Sequence, residues 1–511
     1  MRKHSDSFIS VMSRTLLLPL LAAALLCALF TVAAPPATLT ARAEQQDTAT
    51  ELALTVTRAG ETLTGLTDDN YNTIVQIGAG ETLTVSAAEP MAGIYIEWAD
   101  PGEHALWTLT ANGGSYTGGS NDFLHEYAVL PGGNATDCTI TLEEGRSVCN
   151  IHAYSAGELP ADVQVWEPSL ARADFLVIAT HADDELLYLG GVLATYAGEQ
   201  RLRVQVAHMI NFRIDTPIRE HEKLDGLWAV GVRAYPVTFP FENDVYSEAL
   251  AVAQTQYDQD AVTACVTEAI RRFQPLVVVT QAFNGEYGHG AHMLLAQAVA
   301  DALEEAPDAS KRPESAAQYG VYDVPKAYFH LYEENKIYLD MRAPLSFAGG
   351  QNALEVVTYA FRQHVSQTYT RFYVSDDTAQ EHRNIADFGL YRTLVGTDTQ
   401  PDMTEHITTY GEQERIALEE AKAREEEQQR MQEESARQEA EAAQHALEKE
   451  EAAEAIQQQE ETLKANSRTG LIIGISAGIV ILMIPLVVSN TVRWSDAKRR
   501  RSRLNRQKRR R

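Results

Sequence analysis

An α/β domain on a Rossmann-like, mostly parallel sheet is predicted, with an all-β sandwich before it and a long helical stalk and one transmembrane helix after it. Three observations carry this. Two strand-type apolar runs, at residues 175–179 and 276–280, each lead into a cluster of His, Asp and Glu, and near-continuous apolar runs mark strands buried on both faces of a parallel sheet. Residues 44–166 instead alternate in short runs broken by Gly, Asn and Asp. Beyond residue 411 the chain turns to Glu, Gln, Ala, Lys and Arg, then to an uncharged stretch at 470–492.

The N-terminus reads as an export signal over residues 1–43. Arg2, Lys3 and Arg14 precede an apolar run at 16–34, and Ala41-Arg-Ala43 supplies a small-residue cleavage site. Cys27 would leave with it. The sandwich at 44–166 follows, with strands such as Thr82-Leu-Thr-Val-Ser86 and Gly93-Ile-Tyr-Ile-Glu-Trp98. Its role is open between glycan binding and a passive spacer. Cys138 and Cys149 flank a predicted hairpin and either form a disulfide or stay as two buried thiols. Cys265 falls in a predicted helix and reads as core packing.

The α/β domain at 172–398 holds the chemistry. The first strand ends in His181-Ala-Asp-Asp-Glu185, and the second is followed by Gly285-Glu-Tyr-Gly-His-Gly-Ala-His292. Ligands bind beyond the carboxyl ends of strands in open α/β sheets. His181, Asp184 and His292 offer the two imidazoles and one carboxylate that a catalytic zinc site takes, with one position left for water. Asp183 adjoins a ligand, points elsewhere and suits a general base. His289 suits a general acid or orienting group, and Tyr287 a donor to a developing oxyanion.

These motifs resemble a known family. His181-Ala-Asp-Asp-Glu185 is similar to the His-Pro-Asp-Asp-Glu motif of PIG-L (LmbE-like) zinc-dependent de-N-acetylases, and Gly288-His-Gly-Ala-His292 to that family's Gly-His-Pro-x-His motif. Arg219-Glu-His-Glu222 with Val230-Gly-Val232, and His364-Val-Ser-Gln367, match two further elements. The resemblance implies zinc held by His181, Asp184 and His292, and Asp183 as base. It also implies His289 and Tyr287 at the tetrahedral intermediate and Arg219 on the sugar. Ala182 and Gly290 replace prolines that do no chemistry. Residues 206–213 lack the family's Thr-x-Gly pattern, which leaves the substrate open. The sandwich weakly resembles discoidin-type (galactose-binding-like) domains through Leu66-Thr-Asp-Asp-Asn-Tyr71 and the strand ending in Trp98.

Residues 411–464 read as one charged helix with i,i+4 pairs Glu420–Arg424, Glu426–Arg430 and Glu433–Arg437. Its sparse large apolar residues sustain no heptad, so a solvated stalk with weak coiled-coil pairing is expected. Residues 470–492 have the length of a membrane span. The tail at 493–511 carries eleven Lys or Arg and one Asp, which places it in the cytoplasm against anionic lipid headgroups. The expectation is a single-pass protein of the cell membrane with its ectodomain outside, and a weak homodimer through Gly470, Gly474 and Gly478. With a net charge of −28, nucleic acid is set aside as a partner. The leading functional expectation is a surface-anchored zinc-dependent hydrolase that removes acetyl from N-acetylated amino sugars. The alternative is a catalytically inactive carbohydrate-binding or scaffolding surface protein.

Overall fold

The computed structural model describes residues 48–99 and 105–467. The chain divides into two compact units, Met1–Gly411 and Glu412–Arg511. In the first unit, strands between Leu54 and Tyr154 form two antiparallel sheets, one of six strands and one of four. In Thr82–Met91 the alternation is plain: Leu83 and Val85 point into the core while Thr82 and Thr84 face out. Gly93–Trp98 departs from it and is buried throughout. The reason is that the four-stranded sheet is covered on its outer side by the α/β region. There His125 meets His221 (2.8 Å), the Phe123 and Tyr235 rings stack at 4.6 Å, and Tyr71 lies on His221 at 4.2 Å.

The predicted hairpin between the cysteines is corrected. Ala135–Leu142 and Arg146–Tyr154 belong to different sheets, so the turn between them crosses the sandwich. Cys138 and Cys149 are buried and not bonded to each other. Burial pushes the Cys138 thiol up to about 12.

A buried ion pair in the sandwich gives a pH-dependent prediction. Burial alone would raise Glu97, but His152, His125 and Asn150 outweigh it and hold Glu97 at about 2, from an ordinary 4.5. Burial alone would lower His152, but Glu97 and Glu51 raise it from 6.5 to about 9. The His152 contribution is therefore complete below pH 6.5 and lost as pH rises through 9. The Glu97 contribution is complete above pH 4.5 and lost as pH falls through 2. The pair stabilises most between these limits. His152→Ala is expected to cost about 2 kcal/mol near pH 5.5, and the gap from wild type should narrow steadily toward alkaline pH. Denaturant unfolding of both proteins across that range checks it.

The seven-stranded sheet runs in the order Val237–Phe241, Val204–Ile210, Phe175–Ala179, Val277–Thr280, Lys326–His330, Asp387–Thr393, Lys336–Tyr338. Alternate residues of Phe175–Ala179, an interior strand, enter different cores. Phe175, Val177 and Ala179 pack with Leu224, Leu227, Val356 and Val357, whereas Leu176 and Ile178 pack with Val266, Ile270, Leu294 and Leu295. Helices on both faces explain why these strands read as continuous apolar runs.

The expected fold class is corrected on two findings. Across the three sheets most strand pairings are antiparallel. The seven-stranded sheet is itself mixed, because Asp387–Thr393 runs antiparallel to both Lys326–His330 and Lys336–Tyr338. Secondly, no helix among the described residues is long and apolar enough to cross a membrane. In the long helix, Tyr410–Ser467, residues 411–463 are exposed because Glu, Gln, Lys and Arg occur on every side of it. The transmembrane element and the single-pass cell-membrane location are corrected on that finding. Residues 1–43 and 470–511, including Gly470, Gly474, Gly478 and the basic tail, lie outside the described residues.

Taken by itself, the long helix forms one of its three expected pairs, Glu420–Arg424 at 2.9 Å. Arg430 donates to the Glu426 carbonyl oxygen, and Arg437 pairs forward with Glu441.

Candidate functional site

Two neighbouring strand ends build the site and are stapled together. The Thr180 amide and hydroxyl both donate to Gln281 Oε1 (2.8 and 2.5 Å), and the Thr280 hydroxyl donates to the Ile178 carbonyl oxygen (2.9 Å). Beyond Thr180 the chain turns sharply. Asp183 sits at φ +123, a region non-glycine residues rarely occupy, and such strain concentrates at functional sites. The short helix Asp184–Leu187 follows. At the other tip Tyr287 is left-handed (φ +49), and the helix Gly290–Glu305 carries His292 in its first turn.

The turns bring three candidate ligand atoms together. His181 Nδ1 lies 2.8 Å from Asp184 Oδ2 and 3.1 Å from His292 Nε2, and His292 Nε2 lies 3.0 Å from Asp184 Oδ2. Ligands about 2 Å from one tetrahedral ion are separated by roughly 3.3 Å, so this set has the spacing of a single metal centre. All three residues are buried. His289 is drawn in as well: His181, His289 and His292 each offer a nitrogen within 4.8 Å of the others.

Carboxylates orient the imidazoles. Glu286 Oε2 accepts from His292 Nδ1 (2.7 Å), which turns Nε2 toward Asp184, and Glu286 Oε1 contacts His330 Nδ1 (2.9 Å). Burial would raise Glu286, but His292 and His330 outweigh it and hold it at about 2. Asp244 Oδ2 is 3.2 Å from His181 Nε2, within ion-pair distance though off the line of a hydrogen bond, and Asp244 Oδ1 accepts from the Tyr257 hydroxyl (2.9 Å). Metal-bound histidines are held by such partners. Burial pulls His292 down, but Asp184 and Glu286 push it up to about 10. Glu286→Gln is expected to weaken zinc affinity about 10- to 100-fold with little change in fold, read by competition with a chromogenic chelator.

Asp183 is not part of the ligand set. Its Oδ1 accepts from Arg219 Nη2 (2.9 Å), and Arg219 also donates to the Ala182 carbonyl oxygen and lies 4.0 Å over the Phe212 ring. Burial pushes the Asp183 carboxyl up to about 6, against the pull of Arg219. Arg219 thus stands on Asp183 and on the backbone of the turn that carries it. The Asp183 amide donates to Glu185 Oε2 (2.8 Å), and fully buried Glu185 is gripped by His208 (3.0 Å) and His364 (3.3 Å). Ser366, from the His364-Val-Ser-Gln367 element, donates to Glu222 through its amide (2.6 Å) and hydroxyl (2.5 Å).

His289 and Tyr287 form one wall. The His289 ring is 4.9 Å from His181 and 4.6 Å from His292, its Nδ1 is buried without a hydrogen-bond partner, and it lies nearly parallel to Tyr246 at 5.0 Å. Burial and the two neighbouring imidazoles lower His289 to about 3, so it rests neutral. The Tyr287 ring is 5.5 Å from His292.

All seven sequence-predicted site residues therefore converge. Sequence reasoning missed Glu286, Asp244, His330 and Tyr246. His330 ends an apolar strand as His181 does, and that signal was available in the sequence. Glu286 lies inside the second motif, and only its complete burial shows that it is not a surface acid.

No family model matches the chain. Over 194 residues it is 27% identical to the 1D-myo-inositol 2-acetamido-2-deoxy-alpha-D-glucopyranoside deacetylase 1 of Catenulispora acidiphila, covering 33% of this chain and 58% of that protein. The chain thus spans little more than half the length of that curated relative. Similar solved structures include the N,N'-diacetylchitobiose deacetylase of Pyrococcus horikoshii, at 13% identity over 38% of this chain and 71% of that one, with a TM-score of 0.29. The CBM32 of AlyQ, in complex with 4,5-unsaturated mannuronic acid, is 15% identical over 21% of this chain and 99% of that one, with a TM-score of 0.18. The chain resembles the PIG-L (LmbE-like) deacetylases, and its N-terminal part resembles discoidin-type modules.

Proposed function

We propose that this chain is a zinc-dependent hydrolase that removes acetyl groups from N-acetylated amino sugars. The observation that carries the reading is the mutual 2.8–3.1 Å spacing of His181 Nδ1, Asp184 Oδ2 and His292 Nε2, with Asp183 beside them and outside the set. Two imidazoles and a carboxylate fit zinc. When bound, the ion would supply a Lewis acid and an acidified water.

The chain's own residues divide the remaining work. Asp183 takes the proton of the attacking water and returns it toward the leaving nitrogen, the role open to a buried carboxyl poised near neutrality. Arg219 is a positioning residue that fixes the Asp183 carboxylate and its turn, and it lies at the edge where a sugar would sit. His289, neutral at rest, and Tyr287 face the acyl carbon's oxygen and donate as charge develops there. Glu286 and Asp244 hold the ligand imidazoles. We read 44–166 as a sandwich module, 172–398 as the deacetylase domain and 411–464 as a separate helical stalk.

The reading is supported by the family resemblance and tested by products. The zinc-loaded full chain is incubated with N-acetylglucosamine, N,N'-diacetylchitobiose and N,N',N''-triacetylchitotriose, and with N-acetyl-lysine as a control. Equimolar acetate and free amine from at least one sugar are expected, with little from the control. Hydrolysis of the control alone, or of none of the four, would contradict the assignment.

A further inference from the structure

The segment 242–249 joins the strand Val237–Phe241 to the helix Leu250–Gln256 and runs past the catalytic turn. It is tied down at two points. Asn243, at φ +60, turns the chain, and Asp244 then accepts from the Tyr257 hydroxyl (2.9 Å) and lies beside His181. Further on, the Ser247 carbonyl oxygen accepts from the Gly290 amide (2.7 Å). Val245 and Tyr246 stand between these anchors and are exposed, Tyr246 at 52%.

Gly290 permits the second anchor. It opens the helix Gly290–Glu305, and an amide in the first turn has no partner within its own helix. Proline, which the resembling family motif has at this position, carries no N–H to donate. The approach is also close: a Cβ on Gly290 would stand 2.5 Å from both the Ala249 carbonyl oxygen and Ser247 Oγ. Backbone angle is not the reason for the glycine, because Gly290 is not at positive φ. The residue serves close contact with the segment 247–249, which needs an N–H and no Cβ.

That contact sets Tyr246 over the site. Its ring lies nearly parallel to His289 (10°, 5.0 Å) and to Tyr287 (14°, 6.3 Å), and its hydroxyl donates to Glu248 Oε1 (2.9 Å). One side of the ring is covered by the two groups assigned to the acyl oxygen, and the rest is open. A flat aromatic ring with an open face suits the apolar C–H face of a pyranose. Stacked rings sit about 4.5–7 Å apart, so a sugar on that face is roughly 10 Å from the His289 ring. The acetamide under attack lies at His289 itself, so the ring on Tyr246 is the neighbour of the reacting sugar.

We propose that Tyr246 is a specificity-determining residue that stacks the sugar next to the one deacetylated, and that Gly290 is the positioning residue that holds it there. The assignment deepens the deacetylase reading and rests on it. Oligosaccharides are thereby favoured over the free N-acetylated monosaccharide.

Steady-state kinetics of the zinc-saturated full chain on N-acetylglucosamine and N,N',N''-triacetylchitotriose test it. kcat/KM should be about tenfold or more higher for the trisaccharide, with most of the difference in KM. Tyr246→Ala should lower that ratio about tenfold, whereas Tyr246→Phe, which keeps the ring, should hold it within about twofold of wild type. Gly290→Ala, which pushes the segment away, should lower the ratio as well. Calorimetric titration of both sugars into Asp183→Asn protein reads binding without turnover. The trisaccharide should bind about tenfold more tightly than the monosaccharide, and Asp183→Asn/Tyr246→Ala should lose the difference. No acetate from either sugar would contradict the deacetylase reading, and the titration then decides on Tyr246 by itself. No preference for the trisaccharide, a preference that survives Tyr246→Ala or Gly290→Ala, or one lost equally in Tyr246→Phe would each overturn the proposal.

Discussion

Replacing His292 by Ala is expected to strip the protein of zinc, to below about one-tenth of an equivalent, and to lower deacetylation on the order of 10³-fold or more. Two of three ligands rarely hold zinc tightly. A catalytic zinc would contribute several kcal/mol of transition-state stabilisation, and each 1.36 kcal/mol is a factor of ten. The change also removes the 2.7 Å partner of fully buried Glu286, whose Oε2 keeps the Gln281 amide (3.1 Å), at a cost of about 1 kcal/mol. Some loss of stability will therefore accompany the loss of metal, and His292→Gln, which keeps a side-chain donor in reach of Glu286, separates the two. Metal analysis and thermal unfolding of both variants check the prediction. Stoichiometric zinc in His292→Ala would show that His292 is not a ligand.

Asp183→Asn should behave differently. Asn is nearly isosteric, and its oxygen can still accept from Arg219, so the turn at φ +123 and the pairing that fixes it survive. Zinc content should remain near one equivalent, because the Asp183 carboxylate is outside the set of three close atoms. Turnover should fall about 10²- to 10⁴-fold with a smaller change in KM, because proton transfer is lost and binding is not. Zinc-loaded Asp183→Asn with wild-type turnover would remove Asp183 from the mechanism.

The contrast between these variants shows what was legible in the sequence. His181, Asp183, Asp184 and His292 stand in two short motifs, each directly after an apolar strand, so local pattern was enough to place them at adjoining tips. Which groups orient them was less legible: His330 carried a strand-end signal, but its partner did not show. Asp244 follows a third strand and reaches His181 only because Val237–Phe241 lies two strands away in the sheet. His330 reaches Glu286 across a pairing 44 residues distant in sequence. Arg219, which the resemblance implies on the sugar, also donates to Asp183 and to the backbone at Ala182, contacts that no local pattern carries.

The fold shows the same division. Alternation marked the sandwich strands because one face of each outer strand meets solvent. It did not mark Gly93–Trp98, whose second face is covered by another part of the chain. The antiparallel strands Lys336–Tyr338 and Asp387–Thr393 are 49 residues apart at their near ends, and no local pattern carries their pairing or its direction. The hairpin read between Cys138 and Cys149 failed for a related reason. A tight turn between two strands looks alike in sequence whether the strands pair with each other or cross between sheets.

The central claim is that a single zinc, held at His181, Asp184 and His292, makes this chain an N-deacetylase. Zinc titration of chelator-treated full-length protein tests it most directly, with acetate release from the sugar hydrolysed fastest as the readout. The account predicts no release without metal, a linear rise to a plateau at one equivalent, and no rise in His292→Ala at any equivalent. Release that persists in the chelated protein, or that His292→Ala recovers with added zinc to the wild-type plateau, would contradict it.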